Sequence, residues 1–266
     1  MSRDRVSGYR LQQESRSKMY HFFVDKSNII DHTVIIEGAD FNHIRNVLRM
    51  REGEEISVGN GEDENEYRCA IERFEDDRVI CKLLFIKEAN VELPSKVILY
   101  QCLPKADKME MIIQKCVELG VSEIIPVASK RCVVKLDDKK ASSKVTRWQA
   151  IAEAAGKQSK RAYVPIIGQV TSFKDAIKDA ARADVKLIPY ELAEGMEATK
   201  EAFESINSGQ TIAIFIGPEG GFDESEIDEA VNSGIKPISL GRRILRTETA
   251  GMTVLAWIGY KLEVIN

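Results

Sequence analysis

The sequence lacks the patterns that mark several common protein classes. Its five cysteines are scattered, with no C-x-x-C pair and an odd total, which disfavours a disulfide framework and a zinc site. No apolar run approaches the roughly 20 residues that a membrane-spanning helix needs, and no signal-peptide pattern follows the first methionine. We therefore expect a cytoplasmic protein with reduced cysteines, no metal centre and no membrane partner.

Histidine and nucleotide-binding motifs are also scarce. The three histidines are His21, His32 and His43, so the rest of the chain has none for a Ser-His-Asp triad, a general base or a metal site. Neither a G-x-G-x-x-G fingerprint nor a G-K-[ST] phosphate loop is found. The glycine-rich segments of this chain therefore do not predict a nucleotide phosphate as their ligand.

The composition is that of a globular protein with one unusual segment. The 266 residues are 44% hydrophobic and 30% charged, which is enough for one or two sizeable cores. The net charge is −4, yet residues 130–161 carry ten Lys or Arg against three acidic residues. A basic segment in an acidic chain predicts a local contact with an anionic polymer.

Hydrophobic patterning divides the chain into two parts. Residues 1–18 are polar without a period, and we predict a disordered arm there. Residues 19–88 contain short β-rich segments separated by turns, which predicts a small β-barrel or sandwich. After a linker over 89–95, residues 96–266 alternate apolar strands with amphipathic helices, which predicts an α/β domain with a mostly parallel sheet.

Several elements of both parts can be placed individually. In the first part, apolar spacing predicts one helix over 41–50 with Asp40 as its N-cap. In the second part, strands are predicted at 96–103, 122–127, 163–167, 185–189, 211–216 and 236–240. The last helix, over 249–264, is apolar around most of its circumference, so either an intrachain core or a subunit interface must cover it.

The first glycine loop, 217–222, follows the apolar strand 211–216. Asp223 and Glu226 then form a capping box, which predicts a helix start directly after the loop. Glycine lets a backbone approach a ligand closely, and the free N–H groups of a helix start bind acceptor oxygens. A tight strand-to-helix turn without a ligand explains the same pattern.

The second glycine loop, 240–250, repeats this design at the next predicted strand end. Gly241 turns the chain, and either Thr247 or Thr249 can cap the last helix. Between them lie the charged residues Arg242, Arg243, Arg246 and Glu248. They are either a solvated surface or, beside a glycine-rich pocket, a site for an anionic polymer or for developing negative charge.

Together with the segment from Glu153 to Arg161, the two loops resemble the SPOUT superfamily and, within it, the RsmE family of 16S rRNA uridine N3-methyltransferases. The resemblance covers residues 19–266. It implies a PUA-like RNA-binding β-barrel at 19–88, followed by a SPOUT methyltransferase domain at 96–266 with a mostly parallel sheet and a deep trefoil knot. It also implies a homodimer that uses S-adenosyl-L-methionine and acts on 16S rRNA of the small ribosomal subunit.

The resemblance also implies site residues. Cofactor contacts are expected from Pro189, Glu191, Ile216, Gly217, Pro218, Glu219, Gly220, Gly221, Leu240, Gly241, Ile244, Leu245, Arg246, Thr249 and Ala250. RNA contacts are expected from Arg45, Arg49, Lys130, Arg131, Lys157, Lys160, Arg161 and Arg242. The expected catalytic residues are Arg246, as electrostatic stabiliser of the uridine anion, and Glu248 or Glu219, as proton acceptor unless water takes that role.

Three other functions fit the sequence. They are another SPOUT methyltransferase that acts on tRNA or on a ribose 2′-hydroxyl, a ribosome-assembly RNA-binding protein that has lost catalysis, and a small-molecule α/β enzyme. Cofactor binding, the identity of the methylated nucleoside and the affinity for RNA discriminate among these functions.

Overall fold

A computed structural model of the chain describes residues 19–191 and 195–265. The disordered arm predicted at 1–18 lies outside the described residues. Among the described residues the chain forms two compact units, the first from 19–58 with Tyr67–Ile86 and the second from Gly59–Glu66 with 87–191 and 195–265.

The first unit is built on a six-stranded sheet of order β1-β4-β5-β6-β3-β2. Its elements are β1 (His21–Phe23), β2 (Ile29–Ile30), β3 (Thr33–Glu37), α1 (Gly38–Asn42), β4 (Glu55–Gly59), β5 (Asn65–Phe74) and β6 (Arg78–Glu88), with a 3-10 turn at Lys26–Asn28 and a π-helical turn at His43–Val47. Alternating residues such as Val34 and Ile36 in β3, and Cys69 and Ile71 in β5, are buried and form one core.

The helix of this unit begins earlier than predicted. Glu37 is its N-cap, so Asp40 lies inside the first turn and the prediction of Asp40 as cap was wrong. Gly38 has a φ of +64°, which lets the chain turn from β3 into the helix without a separating loop. The helix then passes through the π-helical turn and ends before Arg49, whose φ is +54°.

The second unit is built on a seven-stranded sheet in which every described strand pair is parallel. The order is β10-β8-β7-β12-β11-β13, and β9 also pairs with β8. Its strands are β7 (Lys96–Cys102), β8 (Glu123–Ala128), β9 (Ile166–Ile167), β10 (Thr171–Ser172), β11 (Val185–Pro189), β12 (Thr211–Ile216) and β13 (Lys236–Ile238). Its helices are α2 (Lys108–Glu118), α3 (Asp138–Ser159), α4 (Phe173–Asp179), α5 (Glu197–Glu204), α6 (Glu224–Asn232) and α7 (Thr247–Tyr260), with a 3-10 turn at Ala180–Arg182 and a π-helical turn at Lys261–Ile265.

Helices cover the sheet, so the central strands are buried on both faces, as their continuous apolar sequences predict. Tyr100 of β7 stacks on Phe215 of β12 with ring centroids 4.4 Å apart, and its hydroxyl donates a hydrogen bond to Asp179 at 2.7 Å. The predicted parallel α/β architecture is confirmed. Among the described residues, no helix has both the length and the apolar character that crossing a membrane requires.

The order of the last strands sets the position of the site. After β12 the chain passes β11 to form β13 at the sheet edge, and it then returns past β11 to pack α7 against β7, β12 and α2. The segments that follow β7, β11, β12 and β13 all leave from the carboxyl edge of the parallel sheet. Ligands of such sheets bind at that edge, where neighbouring connections diverge.

Candidate active site

A pocket of about 480 Å³ lies at the carboxyl ends of β11, β12 and β13. This volume is in the range of small-molecule and cofactor sites. The two predicted glycine loops and the residues after β11 form its walls. The lining residues are Lys108, Pro189, Tyr190, Glu191, Ile216, Gly217, Pro218, Glu219, Gly221, Phe222, Ser239, Leu240, Gly241, Arg242, Arg243, Ile244, Leu245, Arg246, Thr247 and Ala250.

The first glycine loop is tightly packed at one glycine and open at the others. A Cβ at Gly217 would lie 3.2 Å from the ring of Phe222 and 3.3 Å from the backbone carbon of Gly221. Gly221 has a φ of +67° and donates its N–H to the carbonyl of Pro218 at 2.9 Å, which closes the turn. The loop therefore requires glycine at 217 for space and at 221 for backbone conformation.

The helix that follows this loop begins as predicted. Asp223 accepts hydrogen bonds at the start of α6, and the carboxylate of Glu226 accepts the N–H of Asp223 at 3.0 Å, so the capping box is complete. Glu226 also accepts the backbone N–H of Lys130 at 2.8 Å. The hydrogen bonds to Ser225 lower the pKa of Asp223, with smaller contributions from Lys130 and Arg131.

The second loop presents cations at the pocket. Gly241 turns the chain with a φ of +96°. Leu240 and Leu245 are half-buried and form an apolar wall of the pocket. Arg242, Arg243 and Arg246 are exposed, and the described residues give their guanidinium groups no hydrogen bond or ion pair. Three unpartnered cations at a pocket are available to an anionic ligand.

Two consecutive buried hydrogen bonds join β7 and the two loops. The Nε2 of Gln101, at the end of β7, donates to the hydroxyl of Thr247 at 2.9 Å. That hydroxyl donates to the carbonyl of Gly217 at 2.6 Å. Gln101 is fully buried and Thr247 is 6% exposed, so both hydrogen bonds are shielded from water.

The start of α7 differs from the prediction. Arg246 is the N-cap and makes no side-chain capping bond, so neither Thr247 nor Thr249 caps this helix. The hydroxyl of Thr247 is instead committed to the carbonyl of Gly217. Thr249 is exposed and does not line the pocket, unlike its expected cofactor role.

Lys108, at the first position of α2, is a pocket residue that the sequence analysis missed. Its ammonium lies 2.9 Å from Oε1 of Glu219 and 3.4 Å from Oε2 of Glu248. The hydrogen bond to Glu219 raises the pKa of Lys108. Partial burial raises the pKa of Glu219, but the hydrogen bonds from Lys108 and from backbone N–H groups outweigh it, so the net shift is downward. Both groups therefore stay charged around neutral pH.

Most residues expected to contact a cofactor lie at this one pocket. The exceptions are Gly220, which shares the turn of the first loop, and Thr249. Glu248 is not part of the pocket surface and reaches it only through Lys108. The pocket also includes Tyr190 and Ser239, which were not among the predicted site residues. They directly follow the ends of β11 and β13, and the ends of strands can be predicted from the sequence.

The residues expected to bind RNA are distributed over several surfaces. Lys130 and Arg131 contact the first loop: Arg131 donates to the carbonyl of Gly220 at 3.2 Å, and both lie within 3.6 Å of Asp223. Arg242 lines the pocket, and Lys160 is the exposed C-cap of α3. In the first unit, Arg45 donates to the carbonyl of Glu75 at 3.1 Å.

Arg161 is not placed to bind RNA. Its side chain is 4% exposed, and its Nε and Nη2 donate to the carboxylate of Glu92. Its Nη1 donates to the carbonyls of Val117 at 2.8 Å and Val121 at 3.0 Å. Because all three guanidinium nitrogens are engaged inside the protein, the expectation of a phosphate contact at Arg161 conflicts with the structure.

Glu92 ties the predicted linker into the second unit, to which residues 89–95 belong. Besides Arg161, its Oε1 accepts the backbone N–H groups of Ala162 at 2.8 Å and Tyr163 at 3.4 Å. The strand predicted over 163–167 is limited to Ile166–Ile167, which pairs with β8.

The five cysteines are buried and make no disulfide in this fold. Cys132 differs from the others in its surroundings. Its sulfur lies 3.2 Å from the hydroxyl and 3.5 Å from the backbone nitrogen of Ser129. A hydrogen bond with Cys102 is the largest influence, and with the Ser129 bonds it outweighs burial and lowers the pKa of Cys132 to about 6.

Known protein families match both parts of the chain. An RNA methyltransferase domain matches residues 91–259, and an RNA methyltransferase PUA domain matches residues 36–84. The ribosomal RNA small subunit methyltransferase E of Bacillus subtilis is 39% identical over 237 residues, which cover 88% of this chain and 92% of that protein. The protein of the same name from Mesomycoplasma hyopneumoniae is 34% identical over 237 residues, with 89% and 97% coverage.

Solved structures give the same assignment. A ribosomal RNA small subunit methyltransferase E from Neisseria gonorrhoeae, bound to S-adenosyl methionine, superposes with a TM-score of 0.80 at 30% identity. The match covers 91% of this chain and 97% of that one. The chain belongs to the RsmE family of ribosomal RNA small subunit methyltransferases.

Proposed function

We propose that this protein transfers a methyl group from S-adenosyl-L-methionine to N3 of a uridine in 16S rRNA of the small ribosomal subunit. The observation that carries the proposal is the pocket in which both glycine loops meet three arginines that make no hydrogen bond or ion pair with the described residues, in a chain of the RsmE family. The proposal includes a cytoplasmic location.

The pocket fits S-adenosyl-L-methionine in size and chemistry. Ile216, Leu240, Leu245 and Ala250 offer apolar surface for an adenine ring, and Gly217 leaves backbone exposed where a side chain would clash with Phe222. Glu191 lines the same pocket and supplies an acceptor for ribose hydroxyls or for an ammonium group. When bound, the cofactor supplies an electrophilic methyl group next to the base.

The chemistry required of the protein concerns the uridine. Its N3–H is a weak acid on the Watson–Crick edge, so the base must be unpaired and its developing anion stabilised. Arg246 is exposed at the pocket and has no hydrogen bond or ion pair with a described residue, so its guanidinium suits this electrostatic role. A guanidinium cannot accept the proton, which leaves Glu219, Glu248 or water.

Backbone recognition of the RNA is assigned to exposed cations. In the second unit Lys130, Arg131, Lys160 and Arg242 belong to this group, and the half-buried Lys157 is added to it. Arg45 and Arg49 are their counterparts in the PUA unit, whose family match carries the RNA methyltransferase name. Affinity that depends on such contacts falls steeply as salt rises.

Two finer features belong to the same proposal. The return of the chain past β11 after β13 supports a trefoil knot in the second unit. The partly exposed surface of α7, including Tyr260 at 59% exposure, supports a homodimer formed through this unit.

Mapping the methylated nucleoside tests the function. The purified protein is incubated with labelled S-adenosyl-L-methionine and with small subunits, deproteinised 16S rRNA or tRNA from a strain that lacks the activity. We expect 3-methyluridine in 16S rRNA by nucleoside mass spectrometry. A ribose 2′-O-methyl product or a tRNA product would assign a different SPOUT activity. Absence of cofactor binding by calorimetry would favour a non-catalytic RNA-binding protein, and absence of RNA binding a small-molecule enzyme.

A further inference from the structure

The two oxygens of Glu219 are not equivalent. Oε1 accepts the backbone N–H of Lys105 at 3.1 Å and the ammonium of Lys108 at 2.9 Å. Oε2 accepts no hydrogen bond from any described residue. The side chain is 26% exposed and forms part of the pocket wall. One oxygen therefore fixes the carboxylate, and the other keeps free lone pairs at the pocket.

Glu248 has the opposite arrangement. Its side chain is 13% exposed and is not part of the pocket surface. Its Oε2 is buried without a hydrogen bond, and the Lys108 ammonium at 3.4 Å is the charge nearest to it among the described contacts. Lys108 and Glu219 line the pocket, and this oxygen does not.

Lys108 connects the two carboxylates. It begins α2, directly after a loop in which Ala106 has a φ of +54°, and it is 28% exposed at the pocket. Its contacts on both sides restrict an otherwise flexible side chain. Because Lys108 stays protonated, it keeps Glu219 ionised and holds Oε1 in place.

Resting on the proposed function, we infer that Glu219 accepts the N3 proton of the uridine through Oε2, and that Lys108, anchored by Glu248, is a positioning residue. The N3–H bond breaks, its proton goes to Oε2 and then to solvent, and N3 keeps the electron pair. That pair forms the new bond to the methyl carbon as the carbon–sulfur bond breaks with its electrons left on sulfur. The uridine is neutral before and after.

The distinguishing experiment varies the acidity of the substrate. Glu219→Gln, Glu248→Gln and the control Glu118→Gln are compared in single-turnover methylation. Glu118 is a matched control because it pairs with Lys115 of the same helix at 2.8 Å, away from the pocket. We expect Glu219→Gln to lose about 100-fold or more in rate, the usual contribution of a positioned base. Glu118→Gln should leave the rate unchanged.

A substrate with a more acidic N3–H depends less on a proton acceptor in the protein. The loss in Glu219→Gln should shrink with 5-fluorouridine RNA, whose N3–H is more acidic, and as pH rises through alkaline values. The charged groups around Glu219, namely Lys108, Glu248 behind it and Arg246 at the same pocket, stay unchanged in this variant. A defect of folding or of RNA docking would show no such recovery.

Lys108 is tested by conservative rescue and by binding. Lys108→Met should lower the rate and raise the pKa of Glu219, because the hydrogen bond from Lys108 keeps that pKa down, so the rate should begin to fall at a higher pH on acidification. Lys108→Arg should restore most of the rate. Calorimetry with S-adenosylhomocysteine should give nearly wild-type affinity for Glu219→Gln, which provides a readout that does not depend on activity.

Two outcomes would overturn the inference. One is a loss in Glu219→Gln that neither 5-fluorouridine nor alkaline pH reduces. The other is a proton-dependent loss in Glu248→Gln with Glu219→Gln fully active. If the wild-type protein produced no 3-methyluridine at all, the proposed function would fail first, independently of these variants.

Discussion

The hydroxyl of Thr247 donates a hydrogen bond to the carbonyl of Gly217 at 2.6 Å and thereby joins the first turn of α7 to the first glycine loop. The same hydroxyl accepts from Gln101, so three segments of the chain meet at one oxygen. This contact keeps the two loops at a fixed separation across the pocket.

Replacing Thr247 with Val keeps the shape and removes the hydroxyl. We expect a loss of about 1–3 kcal/mol in the free energy of unfolding, because in a buried site the Gly217 carbonyl loses the Thr247 hydroxyl and the Gln101 amide keeps only its bond to the Cys102 carbonyl. Urea unfolding measures the loss. Thr247→Ser should recover most of it, and equal stability of the Val and Ser variants would contradict the prediction.

Gly217→Val should disrupt cofactor binding. A side chain there begins 3.2 Å from the Phe222 ring, and such overpacking costs about 1–3 kcal/mol or displaces the loop. Gly220→Ala is the control in the same turn, since its Cβ would lie 3.6 Å from Arg131 in ordinary contact. Calorimetry with S-adenosylhomocysteine should show weak or no binding for Gly217→Val and near-normal binding for Gly220→Ala. The reverse order would refute this account of the loop.

Arg246→Ala should separate chemistry from cofactor binding. The guanidinium is exposed at the pocket and contacts no partner in the part of the chain that the structure describes, so its removal should leave the fold intact. We expect the single-turnover rate to fall by about 100-fold or more, as when one preorganised donor to a developing anion is lost. Cofactor affinity, measured in parallel, should change little. Equal losses of rate and affinity would assign Arg246 to the cofactor instead.

The Glu92–Arg161 pair should be a large local contributor to stability. Glu92→Ala leaves a guanidinium without its carboxylate in a buried site, and we expect destabilisation of about 3–5 kcal/mol. Glu118→Ala, which breaks a surface pair, should cost about 0–1 kcal/mol. Chemical denaturation of both variants tests the contrast, and a similar small effect from each would show that the buried pair is not needed.

Cys132 should be the first thiol to react with an alkylating reagent. Its pKa is lowered to about 6, so it is largely a thiolate at neutral pH, while burial raises the pKa of Cys102 and Cys116. At 8% exposure it is also more accessible than the other cysteines. Brief iodoacetamide treatment with peptide mass spectrometry should label Cys132 first, and the label should disappear in Cys132→Ser. Preferential labelling of Cys69 would contradict the assignment.

The family, the parallel α/β unit and both glycine loops were predictable because their signals are local. The capping box of Asp223 and Glu226 and the turn at Gly241 are read within a few residues, and the structure and the family matches confirm the fold and the family. Lys108 and Gln101 gave no such signal. Their partners Glu219 and Thr247 are 111 and 146 residues away, and only the topology of the sheet brings them together.

Arg161 shows the limit of reading charge from sequence. It stands at the end of the basic segment 130–161, next to residues that are exposed. Its burial depends on Glu92, which lies 69 residues earlier in a stretch read as a linker. Composition cannot distinguish a solvated cation from one neutralised by a distant carboxylate.

The return of the chain past β11 has a consequence for the order in which the protein becomes functional. The pocket needs residues from β11 onward through Ala250, and its second wall is fixed only after α7 has packed onto β7 and β12. A polypeptide that has formed its sheet but has not packed α7 against it lacks the pocket wall at the start of α7, even when the rest of its core is native. A ligand that binds there stabilises the completed arrangement over all partly assembled ones. The number of cofactor molecules bound per protein molecule therefore reports the fraction of molecules in which α7 has packed and the pocket is complete.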